Sequence, residues 1–278
     1  MKHETIDGGG LTYAPCRYGL SLIMFRGPKR TMNAPYLAFI GVTETYGKFI
    51  DRPYSALMEK ELGKPCVNLG CVNGSVDAFV NDSMIMAACN KADLTVVQIM
   101  RANFLSNRFY SVHPRRNDRF LRASTVLQAI YNDVDFSDFT YTRAMLGKLH
   151  SLSPERFDIV VAELREAWVA RMKNMLGQIG PNAVLFWFAP QPMTDDPWDV
   201  MPNPLQTDPL FITKSMIDDL RPLVRDVVQA IPTDVAKQQG TKGMYFAPMQ
   251  TKAASEMLGV ACHMEASNTL ANHLKTLI

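Results

Sequence analysis

Three short apolar runs, Tyr36–Ile40, Cys66–Leu69 and Leu94–Met100, lie close together in the chain, and each ends in a polar turn. Runs of this length, bounded by turn residues, read as buried strands. Two stretches with helical signals separate them. The first spans about Pro53–Leu62, with Pro53 at the first helical position and Gly63 as its stop. The second spans Val76–Cys89. Strand, helix, strand, helix, strand at such short spacing predicts a parallel sheet joined by right-handed crossovers.

The rest of the chain extends this pattern. Ser153 and Pro154 read as the N-cap and first residue of a long helix. Within it Phe157, Val160, Val161, Leu164, Trp168, Met172, Met175, Leu176 and Ile179 recur at helical spacing, which predicts a core-facing stripe. Ala183–Phe188 reads as a fourth strand. A Pro-rich loop over Gln191–Pro209 follows, carrying Asp195, Asp196 and Trp198. A helix over about Lys214–Ala230, with Pro222 inside it, a fifth strand at Met244–Ala247 and a last helix at about Glu265–Leu277 complete the reading. The predicted fold is a single three-layer α/β domain over residues 36–278, with a central parallel sheet of about five strands. An Arg-rich insertion is expected around 101–138, and an irregular lead-in rich in Gly, Pro and basic residues over 1–35.

Composition narrows the function. With 47% hydrophobic and 20% charged residues the chain is that of a folded protein. A net charge of +2 implies no general attraction to nucleic acid or to a membrane surface. The five cysteines form no CxxC pair and no zinc-ligand spacing, so neither a metal nor another cofactor is expected. No apolar stretch reaches the ~20 residues of a membrane span, and the first residues carry no apolar secretory core. A cytoplasmic location is expected.

In open parallel sheets, ligands bind outside the carboxyl ends of the strands. Four segments fall at such places or just before the last helix. They are Gly41-Val42-Thr43-Glu44-Thr45-Tyr46-Gly47; Asn68-Leu69-Gly70 with Asn73-Gly74-Ser75; Met100-Arg101-Ala102-Asn103; and Val260 to His263. In order and spacing these resemble the four blocks of the SGNH (GDSL-type) hydrolase superfamily, a flavodoxin-like α/β/α fold of esterases, lipases and some acyltransferases, and the resemblance implies that three-layer α/β/α fold here. Gly41, Thr45 and Gly47 match the first block in register. Val42 replaces its Asp, and Thr43 stands where the nucleophilic Ser would be. Gly74 lies one residue late, Arg101 takes a position where Gly is common, and Val260 takes the position of the Asp that orients the histidine. More closely, the chain resembles an uncharacterised bacterial protein family that shares Glu44-Thr45-Tyr46-Gly47 and the segment His113-Pro-Arg-Arg-Asn-Asp-Arg119.

The superfamily resemblance implies roles. Thr43 would supply the attacking hydroxyl and His263 the base. The backbone N–H groups of Thr43 and Gly74 and the Asn103 amide would face the developing oxyanion. Glu265, Asp195 or Asp196 would have to replace the missing orienting acid. Two readings come from the residues themselves. Glu44, a carboxylate beside a hydroxyl, could act as the base, and Thr45 could simply cap the following helix.

Arg101, Arg108, Arg115, Arg116, Arg119 and Arg122, interleaved with Phe104, Phe109, Tyr110 and Phe120, form a second cluster. Guanidinium groups suit carboxylate, phosphate or sulfate, although the segment also reads as a solvated or internally paired loop. Glu44, Thr45, Asn73, Arg101, Arg115 and Arg116 are accordingly the expected substrate-binding residues. The expected activity is that of an ester hydrolase or acyltransferase with an atypical site, acting on a polar or anionic small-molecule or carbohydrate ester. The alternatives are a catalytically inactive small-molecule or carbohydrate-binding protein using the same crevice, and a transferase with an anionic donor. No P-loop is present for the last.

Overall fold

The computed structural model of the chain describes residues 10–195, 205 and 207–278. Residues 1–9 of the lead-in, Asp196 and Trp198 lie outside the described residues. In chain order the main elements are β1 (Leu37–Gly41), α1 (Thr43–Tyr46), α2 (Tyr54–Leu62), β2 (Cys66–Gly70), α3 (Val76–Val80), α4 (Ser83–Lys91) and β3 (Leu94–Gln98). An antiparallel hairpin, β4 (Tyr110–His113) and β5 (Arg116–Ala123), lies outside the main sheet. Next come α5 (Thr125–Ile130), α6 (Thr142–Leu152), α7 (Pro154–Ile179), β6 (Ala183–Phe188), α8 (Lys214–Asp218) and β7 (Asp226–Ala230). The chain closes with α9 (Asp234–Gln238), α10 (Thr251–Ser255) and α11 (Val260–Leu274).

The sheet has five parallel strands in the order β2-β1-β3-β6-β7. Counted among the parallel strands alone this is the doubly wound order 2-1-3-4-5, whose switch point lies between β1 and β3. Strand periodicity builds the three layers. Leu37, Phe39, Leu94, Val96, Val184, Phe186 and Phe188 pack on one face with α2, α9 and α11. Ala38, Ile40, Val97, Leu185 and Trp187 pack on the other with α3, α4 and α7. Because both faces are covered, the strands read as nearly continuous apolar runs.

The apolar stripe of α7 is buried along its whole length, and Trp168 donates from Nε1 to the Met100 carbonyl at 2.8 Å, tying this helix to the end of the β3 segment. Ser153 caps α7 by accepting from the Arg156 N–H at 3.2 Å, and Pro154 follows it. Ser153→Ala is expected to cost about 1 kcal/mol, a fall of roughly 2–4 °C in the melting temperature, readable by differential scanning fluorimetry.

Four expectations are corrected. The stretch Val76–Cys89 is not one helix: α3 ends at Val80, and α4 starts at Ser83, capped by Asp82, whose side chain accepts from the Ile85 N–H at 3.2 Å. The stretch Lys214–Ala230 is not one helix. Helix α8 ends at Asp218, Pro222 sits in a short 3-10 turn, and the Val-rich segment beyond it forms β7 at the sheet edge. Met244–Ala247 is therefore not the fifth strand; it runs along Phe49, with the Tyr245 N–H donating to the Phe49 carbonyl at 2.9 Å. The last helix starts at Val260 rather than Glu265, which places His263 inside it. Among the described residues, no helix is long and apolar enough to cross a membrane.

Candidate functional site

The sheet register assembles the site. Gly41 of β1 pairs with Gly70 of β2, so two glycine-bearing turns leave the sheet side by side. Ile40 pairs with Val97, which brings the next residue of β3, Gln98, alongside Gly41. Both glycines are sterically required. A Cβ on Gly41 would lie 2.2 Å from Thr45 Oγ1 and 2.6 Å from Gln98 Oε1, and one on Gly70 would lie 2.2 Å from the Tyr46 nitrogen. The sheet thus passes directly beneath α1, the single turn that carries Thr43, Glu44, Thr45 and Tyr46.

Gln98 holds that turn. Its Oε1 accepts from the N–H of Val42 at 3.1 Å, the N–H of Thr45 at 3.2 Å and the Thr45 hydroxyl at 2.6 Å. Backbone N–H groups only donate, so the amide orientation is determined and Nε2 is left to donate to Glu44 Oε2 at 3.2 Å. With its own proton committed to Gln98, the Thr45 hydroxyl accepts from the Tyr54 hydroxyl at 2.7 Å. The Thr45 carbonyl accepts from Asn68 Nδ2 at 2.6 Å. Thr45 is therefore neither a helix cap nor a residue open to substrate; it is fully buried beneath the turn.

Glu44 is 8% exposed and forms part of the wall of a cavity of about 600 Å3, within the usual ~300–1000 Å3 of small-molecule sites. Burial pushes its carboxyl above the ordinary carboxylate range, helped by the nearby Asp208 carboxylate and opposed by the Arg101 guanidinium. Thr43, Asn73 and Arg101 line the same cavity. The Thr43 hydroxyl oxygen accepts from the Asn73 N–H at 3.2 Å. Asn73 sits in the left-handed region at φ +53° and donates from Nδ2 to Asp118 at 3.3 Å. Arg101 forms a bidentate pair with Asp208, at 2.9 and 2.8 Å, and stacks over Phe104 with 5.6 Å to the ring centroid. Lys48 and Arg143 add positive charge to the walls, Asp118 and Glu256 negative charge, and Phe104, Tyr141 and Met257 apolar surface.

The remaining expected residues lie elsewhere. His263 is fully buried: its Nδ1 accepts from the Tyr54 N–H at 3.2 Å, and its Nε2 has no hydrogen-bond partner. Its ring stacks on Tyr54 and meets Phe188 edge-on. Desolvation, with a smaller contribution from the Arg26 guanidinium, pushes its pKa down to about 3. It makes no hydrogen bond to Thr43 and does not line the cavity. Glu265 bonds the Thr233 N–H and hydroxyl, and Asp195 accepts from the Ser215 N–H, so neither orients it. The Gly74 N–H is taken by the Cys71 carbonyl at 3.1 Å. Asn103 is 1% exposed; Tyr110 donates to its carbonyl at 2.7 Å, and its side-chain Oδ1 has no partner. Arg115 and Arg116, at the tip of the β4–β5 hairpin, border a separate crevice. Among the described residues, no group of three His, Cys, Asp or Glu side chains could hold a metal ion.

Comparison with known proteins adds a family and a structural neighbour. The family described as a domain of unknown function (DUF6473) matches residues 1–278. The crystal structure of the lipase Lip_vut3 from a goat rumen metagenome aligns with a TM-score of 0.43 at 11% identity, covering 86% of this chain and 97% of that chain. No curated protein matches the sequence.

Proposed function

The chain belongs to the DUF6473 family, and we propose that it is an SGNH-like hydrolase or acyltransferase in which Glu44 takes the place of the imidazole base. One observation carries this reading. Glu44 is a buried carboxyl of the switch-point cavity, held by Gln98 on one oxygen, and it lines that cavity together with Thr43, whose hydroxyl hydrogen has no acceptor among the described residues. A carboxylate so placed can take the Thr43 proton as the oxygen attacks an acyl carbon, and can return it to the departing alcohol oxygen as the ester C–O bond breaks. The order of the sequence blocks supports the superfamily, and the position of the cavity at the carboxyl ends of β1 and β3 supports the reaction site. Lys48 and Arg143, which make no ion pair among the described residues, favour a polar or anionic ester, and the Phe104 and Tyr141 rings offer faces on which a sugar could stack. The deciding experiment compares turnover of short acyl esters by the wild type, Glu44→Gln and Thr43→Ala. Undiminished turnover by Glu44→Gln removes the proposed base.

A second reading, binding without turnover, is favoured by the position of His263, since neither of its nitrogens reaches Thr43. On that reading the wild type hydrolyses none of these esters, while sugar carboxylates raise its melting temperature by mass action.

A further inference from the structure

The crevice beside Arg115 and Arg116 shares no lining residue with the Glu44 cavity. It has a volume of about 680 Å3 and lies between the hairpin tip and the lead-in. Alternation in the lead-in makes one wall. Ser21, Ile23 and Phe25 point inward at 2%, 8% and 0% exposure, whereas Leu20, Leu22 and Met24 are 89%, 66% and 47% exposed. Two of these outward side chains, Leu22 and Met24, line the crevice, and Val72 and Ala78 continue its apolar surface. Three large apolar side chains left in water on consecutive outward positions mark a surface built to be covered.

The hairpin side is cationic. Among the described residues, Arg115 and Arg116 make no ion pair, so both guanidinium groups are open to an anion. The acids bordering the adjoining groove are committed elsewhere. Asp77 accepts from Arg171 and the Ser106 N–H; Asp82 accepts from the Ser21 hydroxyl and the Ile85 N–H. The hairpin backbone is held in place, because His113 Nδ1 accepts from the N–H groups of both arginines at 3.2 Å. Two unpaired guanidinium groups and an apolar wall in one crevice complement an oxyanion carrying a hydrocarbon tail.

The geometry points to a second binding site here for a single-chain acyl carboxylate, its head on Arg115 and Arg116 and its tail along Leu22, Met24 and Val72. The site needs no chemistry from Glu44, so its test does not depend on the proposed reaction. The full-length protein is titrated with decanoate, and with decyl maltoside as a tail-matched neutral control, by isothermal calorimetry. Saturable binding of decanoate is expected, weakened at least tenfold in Arg115→Ala/Arg116→Ala and weakened again as salt is raised. Both arginines are exposed, and a melting temperature equal to that of the wild type establishes that the variant is folded. Leu22→Asp is expected to abolish binding from the tail side. Equal binding of decyl maltoside, undiminished binding by the double variant, or binding to anionic vesicles without binding to monomeric decanoate overturns the assignment.

Discussion

Gln98→Leu is expected to lose about 3–5 kcal/mol of stability, because one side chain satisfies four polar groups beneath the turn and each buried group left unpaired costs about 1–3 kcal/mol. The losses share one site and will not simply add. The leucine fills much the same volume, so the deficit measures hydrogen bonding rather than a cavity. Gln98→Glu separates the contributions. It keeps an acceptor for the Val42 and Thr45 N–H groups but replaces the donor facing Glu44 with a second carboxyl. Two carboxyls in contact must share a proton, so this variant should approach the wild type at low pH and fall behind as pH rises. Urea unfolding at two pH values reads both effects. A loss below 1 kcal/mol for Gln98→Leu would mean that the turn is held by its neighbours instead, chiefly by Arg26, which donates to the Gly47, Ile50 and Asp51 carbonyls.

The importance of Gln98 also shows where the sequence stops being informative. The strands up to Leu94 and the strand at Ala183 are legible because a doubly covered parallel strand is apolar at nearly every position. The cap at Ser153 is legible because capping is local chemistry. Gln98 carries no motif: a lone glutamine ending an apolar run becomes the hub of a turn only when the register sets it against Gly41. β7 was hidden for the opposite reason. At the sheet edge it is only partly buried, so Asp226–Ala230 lacks the continuous apolar signature and blends into the helical pattern before it.

The place of His263 turns on a helix boundary. With the last helix starting at Glu265 it would have stood on a loop facing the crevice. The helix begins instead after Gly259, where any Cβ would lie 2.2 Å from the Gly240 carbonyl oxygen. From Val260 onward Cys262, His263, Ala266, Leu270 and Leu274 form its buried side. Their recurrence at three- and four-residue spacing was present in the sequence as a sign that the imidazole faces the sheet. The Arg segment divides similarly. Arg101 reaches the cavity directly from the end of the β3 segment, whereas Arg115 and Arg116 are carried away by a hairpin whose register no local signal announces.

Glu44→Gln is expected to lower kcat/KM on short acyl esters by roughly 10²–10⁴-fold, the usual contribution of a positioned base, with KM little changed because the amide is isosteric. The pH dependence gives the role a signature that lost packing cannot imitate. Burial raises the folded-state pKa of Glu44 above its ordinary value near 4.5. A base must be ionised to accept a proton, so wild-type kcat/KM should climb with pH through that raised value, and the limb should be missing from the residual activity of Glu44→Gln. Stability moves the other way. Between the unfolded and folded pKa values the folded protein holds a proton that the unfolded chain has released, so Glu44 makes stability fall as pH rises, by at most about 1.4 kcal/mol per pH unit. The penalty is absent below about pH 4.5 and complete once the folded carboxyl has ionised. Glutamine has no such penalty, so Glu44→Gln should gain on the wild type in unfolding free energy across the pH window in which the wild type becomes active. Pairing a stability gain with an activity loss at one position is the mark of a group kept for its reactivity. A flat wild-type pH profile between pH 4.5 and 8, or a Glu44→Gln variant less stable than the wild type at pH 8, would leave Glu44 a structural member of the turn.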